Sequence, residues 1–280
     1  MDAVLSTSPL GLIGTLTFAG LMVAWECGVR LGSRSTNNPH RDAAHGYILS
    51  GVFGLLALLI GFTFGMALDR YETRRDLVVM EANAIGTAEM RVRLLEAPAG
   101  PALSALLREY ARIRLLYGQA EAAQKPPLAK TSQDLRERLQ DATLKGVEPI
   151  RLTPLAPLVV SAINDAIDVG AAREAEHSAR LPTTVAAVLF VYSVIAAGVL
   201  GFALTGSSRT HRPVSALMFL LLTLALMLIL DLDRPRSGSI QVSQVPIIDL
   251  IRSFKPPATP GSPPSPTTPV SPAAAVHARP

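Results

Sequence analysis

The sequence has 280 residues, 49% of them hydrophobic and only 17% charged, with a formal net charge of +4. A soluble globular domain carries about 25% charged residues, and a nucleic-acid-binding chain gathers its basic residues into a stripe that is absent here. Cys27 is the one cysteine, which excludes an intrachain disulfide and a cysteine-based metal cluster.

The missing charge is concentrated in four runs without Asp, Glu, Lys or Arg: Ala3–Trp25, Ala43–Leu68, Leu181–Ser208 and Pro213–Leu230, of 23, 26, 28 and 18 residues. About 20 apolar residues in a helix cross a hydrocarbon core of about 30 Å. Lipid offers the backbone no hydrogen-bond partner, so the runs read as helices. A β-barrel would instead show alternating segments of about 10 residues.

The first run lacks the basic start of a secretory signal, since residues 1–9 hold Asp2 and no Lys or Arg. It is read as a retained span, Pro9 to Val29. Glu26 near its end is an acid at the membrane edge, where charge is costly and invites a functional reading. Arg30 stands one turn on, and an i, i+4 pair satisfies both. Gly28 and Gly32 have the small-xxx-small spacing of close helix packing, as do Gly61 and Gly65 in the second span.

Residues 30–45 form a polar loop with a turn signal at Asn37, Asn38 and Pro39. The second span runs to Leu68. Before Pro98 there is no further proline, so the helix is expected to continue well past the membrane. At its exit lies Leu68-Asp69-Arg70-Tyr71-Glu72-Thr73-Arg74-Arg75-Asp76. Asp69, Thr73, Asp76, Asn83 and Thr87 recur at helical spacing and make a polar stripe along one face. The stripe suits an aqueous path or a partner helix, and equally a solvated face with internal salt bridges.

The middle segment, 69–180, holds two further apolar periodicities. Leu103, Leu106, Leu107, Tyr110, Ile113 and Tyr117 form one, and Leu155, Val159, Ile163, Ala166 and Ile167 the other. Lys125, Pro126 and Pro127 mark a loop, and Thr131–Lys145 reads as a shorter polar helix. Span three starts at Leu181 and Pro182. A short loop, Gly206 to Arg212, makes spans three and four an antiparallel hairpin. At the end of span four, Asp231, Asp233, Arg234 and Arg236 alternate in charge. They are expected to anchor to the Asp69–Arg75 segment, since two carboxylates are too few to hold Ca²⁺.

The fold class is therefore an all-α integral membrane protein with four transmembrane helices (2 + 2) and an extramembrane helical domain between the second and third. The divisions are 9–68 (spans one and two), 69–180 (helical domain), 181–231 (spans three and four), 232–255 (juxtamembrane) and 256–280. The last has nine prolines among Ser, Thr, Ala and Gly and cannot bury a core. Catalytic motifs are missing: there is no H-E-x-x-H, G-x-S-x-G or phosphate loop. The five histidines lie at 40, 45, 177, 211 and 277, with no pair at metal-site spacing. No enzyme, cofactor or metal is expected. Five Arg near the spans on one side against seven on the other leave orientation undecided. Arg outnumbers Lys 22 to 4, a GC-rich, bacterial usage.

Two stretches carry a resemblance: GFTFGMALDRYETRR (61–75), running on to EANAIGTA (81–88), and LDLDRPRSG (230–238). With the 2 + 2 layout, the chain resembles the bacterial bestrophin-like domain family over about residues 10–255. More remotely it is similar to the bestrophins, pentameric anion channels with cytosolic termini. That likeness implies a multi-pass protein of the bacterial plasma (inner) membrane, with termini and middle domain cytoplasmic. It implies a homo-oligomer in the lipid bilayer, a pentamer, with an anion as the permeant species. It also implies an apolar pore neck at Ile60, Phe64 and Leu68. The helix-exit residues Asp69, Arg70, Thr73, Arg74, Asp76 and Asn83 would follow, with Arg70, Arg74 and Arg75 concentrating anions at one mouth. The bestrophins' acidic calcium clasp has no counterpart beyond Asp231 and Asp233. The alternative is a non-conducting scaffold or sensor whose middle domain and Pro-rich tail bind a partner. A secondary transporter would need polar residues at the membrane midplane, which the spans lack.

Overall fold

The computed structural model describes residues 10–34, 41–179, 181–204, 208–234 and 240–254. They form α1 (Leu10–Gly32), α2 (Arg41–Val92), α3 (Ala99–Gln119), α4 (Lys125–Val147), α5 (Leu155–Ser178), α6 (Thr183–Ala203), α7 (Ser208–Asp233) and α8 (Val245–Ser253). Among the described residues there is no strand. The turn at Asn37–Pro39, Pro235, Arg236 and the Pro-rich tail lie outside these residues.

The expected long helix is present: α2 has 52 residues, about 78 Å at 1.5 Å per residue. That is more than twice a bilayer core of about 30 Å. Its first half packs with α6 and α7 around Leu56, Ala67, Leu189, Leu226 and Ile229. Its second half packs with α3, α4 and α5 around Ile85, Val92, Leu107, Tyr110, Leu139 and Ile163. One helix thus belongs to both apolar clusters and connects them.

Five described helices are long and apolar enough to cross a membrane, one more than the sequence runs indicate. The extra one is α5. Its Val159, Ile163 and Ala166 are buried against α2 and α3, and its last turns carry Arg173, Glu174 and Glu176. Composition alone does not separate a buried helix of a domain from a span.

Several boundaries differ from expectation: α2 starts at Arg41, inside the expected 30–45 loop, and α7 at Ser208, inside the expected Gly206–Arg212 loop. Lys125-Pro126-Pro127 opens α4 instead of forming a loop. A proline at the first positions of a helix loses no hydrogen bond, because those N–H groups have no partner within the helix. In the juxtamembrane segment α8 was not foreseen. It is amphipathic, with Ile247 fully buried against Val78 and Ala82 of α2, and Pro246 stands at its start.

The α1–α6 contact is made by glycine. A Cβ on Gly28 would overlap the Gly198 carbonyl oxygen, and one on Gly201 would overlap that of Trp25. Backbones approach this closely in lipid only where side chains are absent. Glu26 meets Arg30 at 3.4 Å as expected, and also Arg212 of α7 at 3.2 Å. Gly61 and Gly65 differ: a Cβ on either meets nothing within the chain. Gly201→Leu should therefore unseat α1 and cost about 3 kcal/mol or more, while Gly61→Ala leaves the folded chain intact. Thermal unfolding of the two purified variants checks this. Equal midpoints would show that the close crossing contributes no stability.

Candidate functional site

The site is the surface of α2. Over its membrane half, Gly51, Gly54, Leu58, Gly61, Phe62 and Gly65 are exposed, and beyond it Asp69, Glu72, Thr73, Asp76, Met80 and Asn83. Spacings of three and four place these residues on one continuous face. Leu58 is 53% exposed and Phe62 65%, and α2 has the least buried apolar window of the candidate spans.

The residues expected to form a neck lie elsewhere. Ile60 and Phe64 are half-buried and pack against the cluster formed with α6 and α7. Leu68 is half-buried at the edge of the open face. The i, i+4, i+8 spacing was visible in sequence, but Leu58, Phe62 and Met66 have it too. Only tertiary packing tells the two rows apart.

The polar stripe divides in the same way. Asp69, Thr73, Asp76 and Asn83 share the open face, joined by Glu72, and Thr87 is half-buried. Arg70 and Arg74 point the other way. Arg70 meets Glu176 of α5 at 3.8 Å. Buried Arg74 donates to the carbonyl oxygens of Arg70 (3.1 Å), Leu232 (3.1 Å) and Asp233 (3.3 Å). A guanidinium on the carbonyls of a helix C-terminus satisfies acceptors that have no partner within that helix and complements its dipole.

The end of α7 is thus held to α2 through main-chain carbonyls on Arg74. Its carboxylates also hold backbone: Leu181 N–H donates to Asp233 at 2.8 Å, and Ile240 N–H donates to Asp231 at 3.3 Å. Arg234 is buried beside them. Among the described residues, no group of three or more His, Cys, Asp or Glu is placed to hold a metal ion.

Two turns beyond Arg74, on the same inward face, Glu81 is fully buried. It accepts from Arg114 of α3 and from Arg173 of α5. Arg114 also donates to Glu174 and, at 2.9 Å, to the Gly170 carbonyl oxygen. Arg136 of α4 reaches Glu174 at 3.4 Å, and Arg173 donates to Gln244 before α8 at 2.6 Å. Burial works against the charge of Arg114, but Glu81, Tyr110 and Glu174 outweigh it and hold its pKa above the ordinary guanidinium value. Burial pushes the Tyr110 hydroxyl up to about 12. No local pattern in the sequence marks this network. The available signal was Glu81 itself, an acid seven residues from Arg74 and four from Ile85 on an otherwise apolar face.

These features define a multi-pass, all-α membrane protein whose second helix is fixed to the α3–α5 bundle on one side and open on the other. The sequence model of the Bestrophin-like domain matches residues 16–247. The chain belongs to the Bestrophin-like family. Among curated proteins no sequence match is found. Solved structures share the fold. A variant of the bacterial Bestrophin homolog from Klebsiella pneumoniae is 13% identical with a TM-score of 0.62, covering 88% of this chain and 97% of that one. Another crystal structure of that homolog, also 13% identical, gives 0.58 over 87% and 98%. A variant described only as a membrane protein gives 0.63 at 13% identity over 86% and 95%.

Proposed function

We propose that copies of this chain form a ring around an axis lined by α2 and conduct ions along it. Spans α1, α6, α7 and the first half of α2 cross the bacterial inner membrane. The distal half of α2, with α3, α4 and α5, stands on the cytoplasmic side. The resemblance to bestrophins sets the expected number of copies at five. The observation that carries this reading is the open face of α2, continuous from Gly51 through Asn83 while the opposite face is fully engaged. A transmembrane helix with glycines directed away from its own chain is suited to a further close neighbour.

The neck moves from Ile60, Phe64 and Leu68 to Leu58 and Phe62, which face the axis in this arrangement. A ring of such side chains gates by dewetting. The favoured ion changes sign as well. Arg70 and Arg74 are spent inside the chain, whereas Asp69, Glu72 and Asp76 stand on the open face with Arg75 at its flank. Repeated around an axis, these carboxylates attract cations. The channel is thus proposed to prefer cations, in place of the anion that the resemblance to bestrophins implies, and no catalysis is part of it.

Native mass spectrometry in mild detergent, followed by flux measurements in liposomes, tests it. The expected outcome is a pentamer that passes Na⁺ faster than Cl⁻. A monomer, or flux of neither ion above that of empty vesicles, would overturn the proposal.

A further inference from the structure

The open face of α2 has two unlike flanks. On one side α8 lies along the helix: Ile247 is buried against Val78 and Ala82, and a Cβ on Gly86 would meet Leu250 at 3.1 Å. On the other side stands α5: Arg91 donates to the Leu158 carbonyl oxygen at 2.9 Å, and Arg70 meets Glu176. Gly86 and Arg91 are five residues apart, which at about 100° per residue sets them about 140° apart around α2. Met90 and Leu94 continue the open face between them.

The α8 flank is a groove lined by Asn83, Gly86 and Met90 of α2 and by Pro246 and Leu250 of α8. Beside it α3 turns one stripe toward α8. The Arg108 guanidinium lies 5.7 Å from the centre of the Phe254 ring, and Leu115 packs with Ile247. Arg112, on the same stripe, is exposed, as is Arg252 on α8. Asp249 pairs with Arg252 at 3.3 Å, and Arg112 makes no ion pair among the described residues, so the flank is positive. The α5 flank is its complement. Leu158, Ser161, Asp165, Asp168 and Ala172 form one exposed row at spacings of three and four. From Leu155 to Ala172 the helix has no Lys or Arg, and Leu158 is 49% exposed.

The heights agree. From the Arg91–Leu158 contact, α5 runs back along α2 toward the Arg70–Glu176 contact. Asp165 is seven residues, about 10 Å, along that path, which sets it level with Ala84. Arg112 lies between Arg108, which meets Glu89, and Arg114, which meets Glu81, and so stands at the same level. Leu158 is level with Met90. We infer that, in the ring already proposed, Leu158 of one copy enters the α2–α8 groove of the next. Asp165 and Asp168 then face Arg112 and Arg252 across the seam. The contact rests on that ring: copies that turn the open face of α2 inward bring one flank against the opposite flank of the neighbour. Such a contact joins two different surfaces, which must be complementary, and opposite charge across it fixes the register.

Cross-linking of the purified full-length protein in mild detergent, beside native mass spectrometry, tests the contact. Cys27→Ser removes the one native thiol. Ser161→Cys and Ser253→Cys, both at exposed positions, then place one thiol on each flank, on opposite sides of α2. With both thiols a short bis-maleimide should link copies into a ladder that reaches the mass of the full oligomer. Either thiol alone should stop at dimers. Adding Asp165→Lys and Asp168→Lys should lower the linked yield at least threefold, and Arg112→Asp with Arg252→Asp should restore it. An oligomer that gives no ladder would overturn this contact and leave the ring standing, with its groove open to another occupant. A monomer in the native spectrum would overturn the ring itself and the contact with it.

Discussion

Arg114→Leu is expected to collapse the helical domain and leave the membrane half assembled. Arg114 is completely buried and its side chain contacts four groups: Glu81, Glu174, the Gly170 carbonyl and, at 3.4 Å, the Ser132 hydroxyl. Leucine removes the charge and leaves Glu81 with Arg173 as its one cation, and Glu174 with Arg136 and the Ser132 hydroxyl. Breaking one side of a buried pair costs about 3–5 kcal/mol, because the remaining charge is left uncompensated in a low-dielectric interior. That is a large fraction of the 5–15 kcal/mol that holds a typical domain folded.

Arg114→Lys should lie between wild type and Leu. It restores a charge but not the fork that engages two carboxylates and a carbonyl together. Protease sensitivity of the α3–α5 region, with denaturant unfolding of the purified protein, reads the effect. An Arg114→Leu variant as resistant as wild type would show that the network does not hold the domain on α2.

Much of the fold was legible in sequence because lipid imposes simple rules. Uncharged runs gave spans, and the gap in proline before Pro98 gave the long helix. What was not legible has one physical source. Amphipathic spacing identifies faces but does not say what covers each face. Ile60-Phe64-Leu68 and Leu58-Phe62-Met66 are equally apolar rows of one helix, and the choice between them is made by Leu189 and Leu226, on α6 and α7, more than a hundred residues away. Arg70 and Arg74 were similarly grouped with Asp69 and Asp76 because they are neighbours in the chain. A rotation of about 100° per residue sends them to the other side, where Glu176 and the end of α7 receive them. The ionic network around Glu81 is invisible in sequence for the same reason. Glu81, Arg114 and Arg173 are separated by 33 and 92 positions, and nothing local marks them as partners. The resemblance located the family, but the sign of the charge lining a proposed pore depends on side-chain direction.

That sign gives the largest functional effect. Asp69→Asn, Glu72→Gln and Asp76→Asn combined should lower the Na⁺ over Cl⁻ permeability ratio by about tenfold, the lower end of what focused charge does to local ion concentration. The three carboxylates span seven residues, about 10 Å along the axis, so in a ring each ion would pass three successive acidic tiers. All three side chains are exposed and contact neither packed cluster, so the triple variant should fold and assemble as wild type does. The opposite change, Arg75→Gln, removes the cation at the flank and should raise the ratio. Screening supplies an internal check. The Debye length shrinks from about 30 Å at 0.01 M to about 3 Å at 1 M salt, so wild type and triple variant should converge as salt rises. If instead the wild-type ratio already favours Cl⁻, or neutralisation leaves it unmoved at low salt, the open face of α2 does not line the path and the ring must be built on another surface.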